Sequence, residues 1–231
     1  MNKLMIFGDS VLKGVTFSSE KKRYVLCEHK YENLFAEKGI ITENFCKMGA
    51  TISKINEITN KKLESVDKNT VVLLGFGGND SDYNWGEVSN SPNSNHTPNT
   101  AIDTFFKSYC SLIRKFQSLG CKVIVSNLVP LDADKYMNWI SNGKSYDNIL
   151  EFLGDKSMLY RGQEFFNQAV EQAAEETGCP LINLRRTFLQ SRKYKSIICE
   201  DGIHPSQLGH NILDGTISDY FIRNMIPAIA V

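Results

Sequence analysis

Two short stretches at opposite ends of this 231-residue chain carry side chains suited to acyl chemistry. Gly8-Asp9-Ser10 closes the first apolar run and presents a serine hydroxyl. Such a hydroxyl is a weak nucleophile until a base takes its proton. Asp201-Gly202-Ile203-His204-Pro205 supplies, near the other terminus, an imidazole and a carboxylate three residues before it. Histidine titrates near neutral pH, and a nearby carboxylate fixes its tautomer and stabilises the imidazolium formed during attack. Ser10 as nucleophile, His204 as base and Asp201 as orienting acid would make a hydrolytic relay.

Acyl transfer also needs fixed donors where negative charge develops on the carbonyl oxygen. The Ser10 N–H lies beside the reacting centre by construction. Gly49 has no side chain to block a second N–H. Asn79, in Gly77-Gly78-Asn79-Asp80, offers a neutral amide. Taken singly these residues are ordinary: Asp9 and Ser10 suit a helix start, the glycines suit turns, and Asp201-Gly202 suits a turn. Only three other histidines compete for the role of base. His29 sits in a charged stretch, expected to face solvent. His96 falls in a polar segment, and His210, six residues past His204, points elsewhere on a last helix.

The elements that must position these groups follow from hydrophobic patterning. Five short apolar runs, 3–7, 40–46, 70–76, 122–127 and 180–184, read as buried parallel strands. Helical spacing covers 31–38, 101–119 and 163–177, the last stopped by Gly178, and a final helix starts near Pro205 and runs towards Phe221. Alternation of strand and helix predicts an α/β fold with a mostly parallel sheet covered on both faces. Ligands in such sheets bind beyond the carboxyl ends of the strands. Ser10, Gly49, Asn79, Asp201 and His204 all follow predicted strands, so the candidate chemistry shares one edge.

These blocks, in this order, resemble the SGNH branch of the GDSL esterase/lipase superfamily. The family's Gly-Asp-Ser nucleophile, lone oxyanion glycine, Gly-x-Asn-Asp segment and Asp-x-x-His-Pro match Gly8-Asp9-Ser10, Gly49, Gly77-Gly78-Asn79-Asp80 and Asp201 to Pro205. Val11 stands where the name-giving motif has leucine. The resemblance is sharp over only a few short blocks. It implies a three-layer α/β/α sandwich of flavodoxin type, a five-stranded sheet in the order 2-1-3-4-5, a serine at the switch point, and no metal or organic cofactor.

Rival readings stay in view. Asp9, Asp80, Asp201, His96 and His204 are all possible ligands for a metal-dependent phosphoesterase, although no Asp-x-His pair forms a nucleus. Residues 75–80 begin like a dinucleotide loop, but Asp80 takes the third-glycine position and repels a pyrophosphate. A non-catalytic carbohydrate-binding member is a third option.

Composition narrows partners more than substrate. With 26 basic and 26 acidic residues the net charge is zero, which provides no field for nucleic acid. The apolar run at 4–7 is too short for a membrane span or a signal core, and six dispersed cysteines are expected as reduced thiols. A cytoplasmic protein acting on a small-molecule ester, with no membrane span, is the expectation; oligomeric state is left open. One domain, 1–231, is expected, with insertions near 81–99 and 132–160 at the rim of the site. They carry Trp85, Tyr136 and Trp139, aromatics suited to sugar faces or to packing. No long apolar tract is evident in them. A short acyl group on a carbohydrate or other small alcohol is therefore favoured over a lysophospholipid or an acyl thioester.

Overall fold

The structure is a computed structural model, and it describes residues 2–27 and 30–225. Its centre is a five-stranded parallel sheet of β1 (Lys3–Gly8), β4 (Ile41–Asn44), β5 (Thr70–Gly75), β6 (Lys122–Ser126) and β7 (Leu181–Ile182). The spatial order is β4-β1-β5-β6-β7. Counted along the chain these five strands run 2-1-3-4-5, as expected. Lys3 pairs with both Ile41 and Thr70, and Gly8 with Gly75, so β1 lies between its neighbours where the chain order reverses.

Every residue of β5 is buried, as are five of the six in β1. Their side chains alternate between two cores, as strand geometry requires. Met5, Phe7, Val72 and Leu74 point into one core, shared with α2 (Ile52–Asn60), α4 (Ile102–Ser118) and α7 (Ser157–Glu176). Leu4, Ile6, Val71 and Leu73 point into the other. There they meet α1 (Lys30–Glu37), α8 (Leu184–Leu189), α9 (Tyr194–Ile197) and α10 (Gln207–Asn224). The expected α/β/α sandwich is thus the observed one.

The differences lie between these elements. Residues 15–26 form an antiparallel hairpin, β2 (Val15–Ser18) with β3 (Arg23–Leu26), that sequence patterning did not indicate. The last helix begins at Gln207 rather than Pro205. Ser206 caps it by accepting from Gly209 N–H, and Pro205 instead bridges to Ile198. Of the two insertions, 132–160 is largely helical, holding α5 (Ala133–Ile140), α6 (Tyr146–Leu153) and the first turn of α7, whereas 81–99 holds one short helix, α3 (Trp85–Asn90). They pack on one another through a third cluster that includes Val88, Met137, Ile140 and Ile149. Among the described residues no helix is long and apolar enough to cross a membrane.

Candidate functional site

The turn after β1 is built to hold Ser10 at the sheet edge. Asp9 N–H donates to Gly75 O (3.3 Å), and the Asp9 carboxylate accepts from Val11 N–H (2.9 Å). Neither Gly8 nor Gly75 tolerates a side chain. A Cβ at Gly8 would lie 2.8 Å from Gly75 O, and one at Gly75 would lie 2.3 Å from Ser126 Oγ.

The second half of the site is a tight loop on the far side of the chain. Cys199 N–H donates to His204 O (2.8 Å), closing residues 199–204 on themselves. Gly202 has φ +77°, and a Cβ there would lie 2.3 Å from Tyr136 N, so both conformation and space demand glycine. One Asp201 oxygen accepts from Ile203 N–H and His204 N–H, both at 3.1 Å. The other is 2.6 Å from His204 Nδ1. That leaves His204 Nε2 2.8 Å from Ser10 Oγ. Ser10, Asp201 and His204 are all buried. With Nδ1–H donating to Asp201, Nε2 carries the lone pair that accepts the Ser10 hydroxyl.

Burial alone would raise the Asp201 carboxyl. The His204 hydrogen bond and charge, with the two backbone donors, outweigh burial and hold it below its ordinary value. Asp9 and Asp80 behave oppositely. Burial pushes each up to about 6, against the N–H of Val11 for Asp9 and the Thr100 hydroxyl and Ile52 N–H for Asp80.

Three local bonds collect the candidate oxyanion donors. Lys47 N–H donates to Gly8 O (3.0 Å), drawing the 47–50 turn to the end of β1. Asn79 Nδ2 donates to Ala50 O (3.1 Å), and the Asp80 carboxylate receives Ile52 N–H at the start of α2 (3.0 and 3.1 Å). Gly49 sits in that turn with φ +72°, exposed. Among the described residues neither Ser10 N–H nor Gly49 N–H has a hydrogen-bond partner. One amide hydrogen of Asn79 is committed to Ala50, which leaves the second for a ligand.

A hydroxyl, an imidazole and a buried carboxylate in line, with donors beside the hydroxyl, are the parts that acyl transfer to serine requires. The family model for the GDSL-like lipase/acylhydrolase family matches residues 6–212. The chain belongs to that family. Membership makes this acylhydrolase a carboxylic ester hydrolase.

Solved structures agree on the fold. A lipase/acylhydrolase from Enterococcus faecalis matches over 100% of both chains with TM-score 0.68 and 18% identity. An acetylxylan esterase from Geobacillus stearothermophilus matches over 94% of this chain and 92% of its own, with TM-score 0.64 and 17% identity. A GDSL-like lipase from Bacteroides thetaiotaomicron covers 97% and 89%, with TM-score 0.62 and 15% identity. No curated protein sequence matches the acylhydrolase significantly.

Beside Ser10 and His204 the acylhydrolase has a cavity of about 250 Å³. Trp85 and Tyr136 line it, but their polar atoms are already engaged: Trp85 Nε1 and Tyr136 Oη each donate to one oxygen of Asp82 at 2.7 Å. Trp139 is not part of the lining. Its ring packs edge-on against Phe17 (5.0 Å between centroids) and Tyr24 (6.4 Å), fastening α5 to the hairpin.

The other histidines separate cleanly. His96 is partly buried with Nε2 2.8 Å from Ser91 O, and His210 is buried with Nε2 3.0 Å from Val15 O. His29 lies outside the described residues. Among the described residues no three metal-type side chains converge on one point.

Sequence reasoning missed Tyr24. Its ring lies edge-on to the His204 imidazole at 5.1 Å. Burial first, then the charge and hydrogen bond of Asp201, raise its hydroxyl above the usual phenol range. The short run Arg23-Tyr24-Val25-Leu26 after a lysine pair was the available signal for a strand. Asp82 was missed as well, because its second aromatic donor, Tyr136, lies 54 residues away in sequence.

Proposed function

We propose that the chain is a serine esterase that hydrolyses a small carboxylic ester through an acyl-enzyme. Ser10 Oγ attacks the ester carbonyl carbon while His204 Nε2 takes its proton and Asp201 holds the imidazole. Ser10 N–H, Gly49 N–H and the free amide hydrogen of Asn79 receive the oxyanion. His204 then gives its proton to the leaving alkoxide, so the alcohol departs and the acyl group stays on Oγ. Water, deprotonated by the same imidazole, attacks the acyl-enzyme and releases the acid, with the proton returning to Ser10. The single observation that carries this reading is the unbroken chain of contacts, 2.6 Å then 2.8 Å, from Asp201 through His204 to Ser10.

The substrate suggested by composition is a short acyl group on a carbohydrate or other small alcohol, and the acetylxylan esterases of the same fold lend that reading some support. One observation favours a longer acyl group, as in a lysophospholipid or acyl thioester: the apolar lining of the cavity beside Ser10. The proposal includes one hydrolase domain over 1–231, with 81–99 and 132–160 as insertions. It also includes a cytoplasmic location, for which the six free cysteines speak.

The test is Ser10→Ala assayed on p-nitrophenyl acetate with and without a chelator. Loss of turnover on the order of 10⁶-fold is expected where the relay acts as one unit, with the native enzyme indifferent to the chelator. Near-normal turnover by the variant, or inactivation of the native enzyme by the chelator, would sink the proposal.

A further inference from the structure

Resting on the esterase reading, the structure assigns the cavity beside Ser10 to an unbranched acyl chain of medium length, with Gly162 as the residue that keeps the space open. The cavity begins at Ser10 and His204, and its lining combines hydrogen-bonding side chains with a continuous set of apolar ones. Leu128, Val129 and Leu131 come from the segment after β6, Leu153 from the end of α6, and Met158 and Leu159 from the first turn of α7. The polar side chains among its walls are largely spoken for. One oxygen of Asp82 holds both Trp85 and Tyr136, and Gln163 spans Val129 O (3.0 Å) and Arg185 Nη1 (3.1 Å). A sugar ring placed against Leu128, Val129, Leu131, Leu153, Met158 and Leu159 would leave hydroxyls unpaired there, which costs free energy for each one desolvated. A hydrocarbon chain leaves nothing unpaired.

Gly162 supplies the independent observation. It lies inside α7, where a glycine destabilises a helix by roughly 0.5–1 kcal/mol relative to alanine. Neither its backbone conformation nor a close neighbour requires it. Its φ is not positive, and a Cβ built there meets nothing within 4 Å. Yet Gly162 lines the cavity. The space that its missing side chain leaves is space for a ligand. At roughly 30 Å³ per methylene-sized group, the share of one water in the liquid, about 250 Å³ holds on the order of eight such groups. That corresponds to an acyl chain of about six to eight carbons, longer than the short acyl group that composition alone suggested.

The experiment measures kcat/KM of the full chain on p-nitrophenyl esters from C2 to C16. Each buried methylene contributes about 0.8 kcal/mol, or roughly fourfold, so C6–C8 esters should exceed C2 by at least tenfold and C12–C16 esters should fall away. Gly162→Leu should lower the C8:C2 ratio at least tenfold. Gly162→Ala, which helix propensity favours, should raise Tm while moving the optimum towards shorter chains. A maximum at C2, or a C8:C2 ratio that neither variant changes, overturns the acyl-pocket assignment and leaves the esterase reading intact. Failure to hydrolyse any ester in the series overturns both.

Discussion

The sheet edge and the helical cap are built on different principles. At the edge, side chains are held by directed hydrogen bonds at short distance: Asp201 to His204, His204 to Ser10, Asn79 to Ala50, Asp80 to Ile52. Glycines at 8, 75 and 202 are fixed by contacts that a single added carbon would violate. The cap of α3, α5 and α6 is a satellite core of aliphatic and aromatic contacts, pinned by Asp82 between Trp85 and Tyr136. The edge is specified atom by atom because chemistry tolerates little displacement. The cap is specified by volume, so its contribution is a wall.

If that division is right, substitutions at the edge change rate and substitutions in the cap change stability. His204→Ala should lower kcat about 10⁶-fold, as for a relay that fails as a unit. Asp201→Asn should cost about 10⁴-fold, since it leaves the imidazole in the wrong tautomer. Asn79→Ala should cost about 10²–10³-fold through loss of one oxyanion donor. Steady-state kinetics with a matched p-nitrophenyl ester reads all three, and an Asn79 effect below threefold would remove that residue from the site.

The cap predicts the opposite signature. Ile149 is fully buried and is not part of the cavity lining. Ile149→Ala should cost about 2–5 kcal/mol of stability in urea melts, with kcat of the folded fraction within threefold of native. A large kcat loss with unchanged stability would erase the distinction between wall and machinery.

Asp9 sharpens the comparison, because here the edge gives up stability for position. Its carboxyl is raised to about 6 in the fold, from 3.8 when unfolded. The folded protein therefore keeps this proton where the unfolded chain has released it. The contribution to stability is full below about pH 4, declines as pH rises to about 6, and is lost above that. Asp9→Asn should remove a decline on the order of 2–3 kcal/mol between pH 4 and 6.5. Parallel stability–pH curves for native protein and variant would contradict the assigned environment.

Much of the edge was legible in the sequence because its information is local. Buried parallel strands are continuous apolar runs, so β1 and β5 stand out, and the candidate nucleophile, base and acid sit in short blocks that follow such runs, with only four histidines to choose from. The hairpin at 15–26 escaped because its strands are four residues long and half exposed, with Lys21 and Lys22 between them. The whole of α2 escaped because Ile52, Ile55 and Thr59 are β-branched and read weakly as helix. In the cap, what Tyr136 and Trp139 do depends on partners 50 or more residues away in sequence, Asp82 for the first and Phe17 and Tyr24 for the second. No local pattern carries that information. The acyl cavity escaped for the same reason, its walls being drawn from separated segments.

The claim beneath all of this is that the Ser10 hydroxyl is the atom that becomes acylated. Treatment of the full-length chain with a fluorophosphonate, followed by peptide mass spectrometry, measures it directly. One phosphonyl group per chain is expected, on Ser10, with turnover falling in step with labelling and no labelling in His204→Ala. Complete inactivation with the adduct on another residue, or undiminished turnover with Ser10 fully modified, would contradict it.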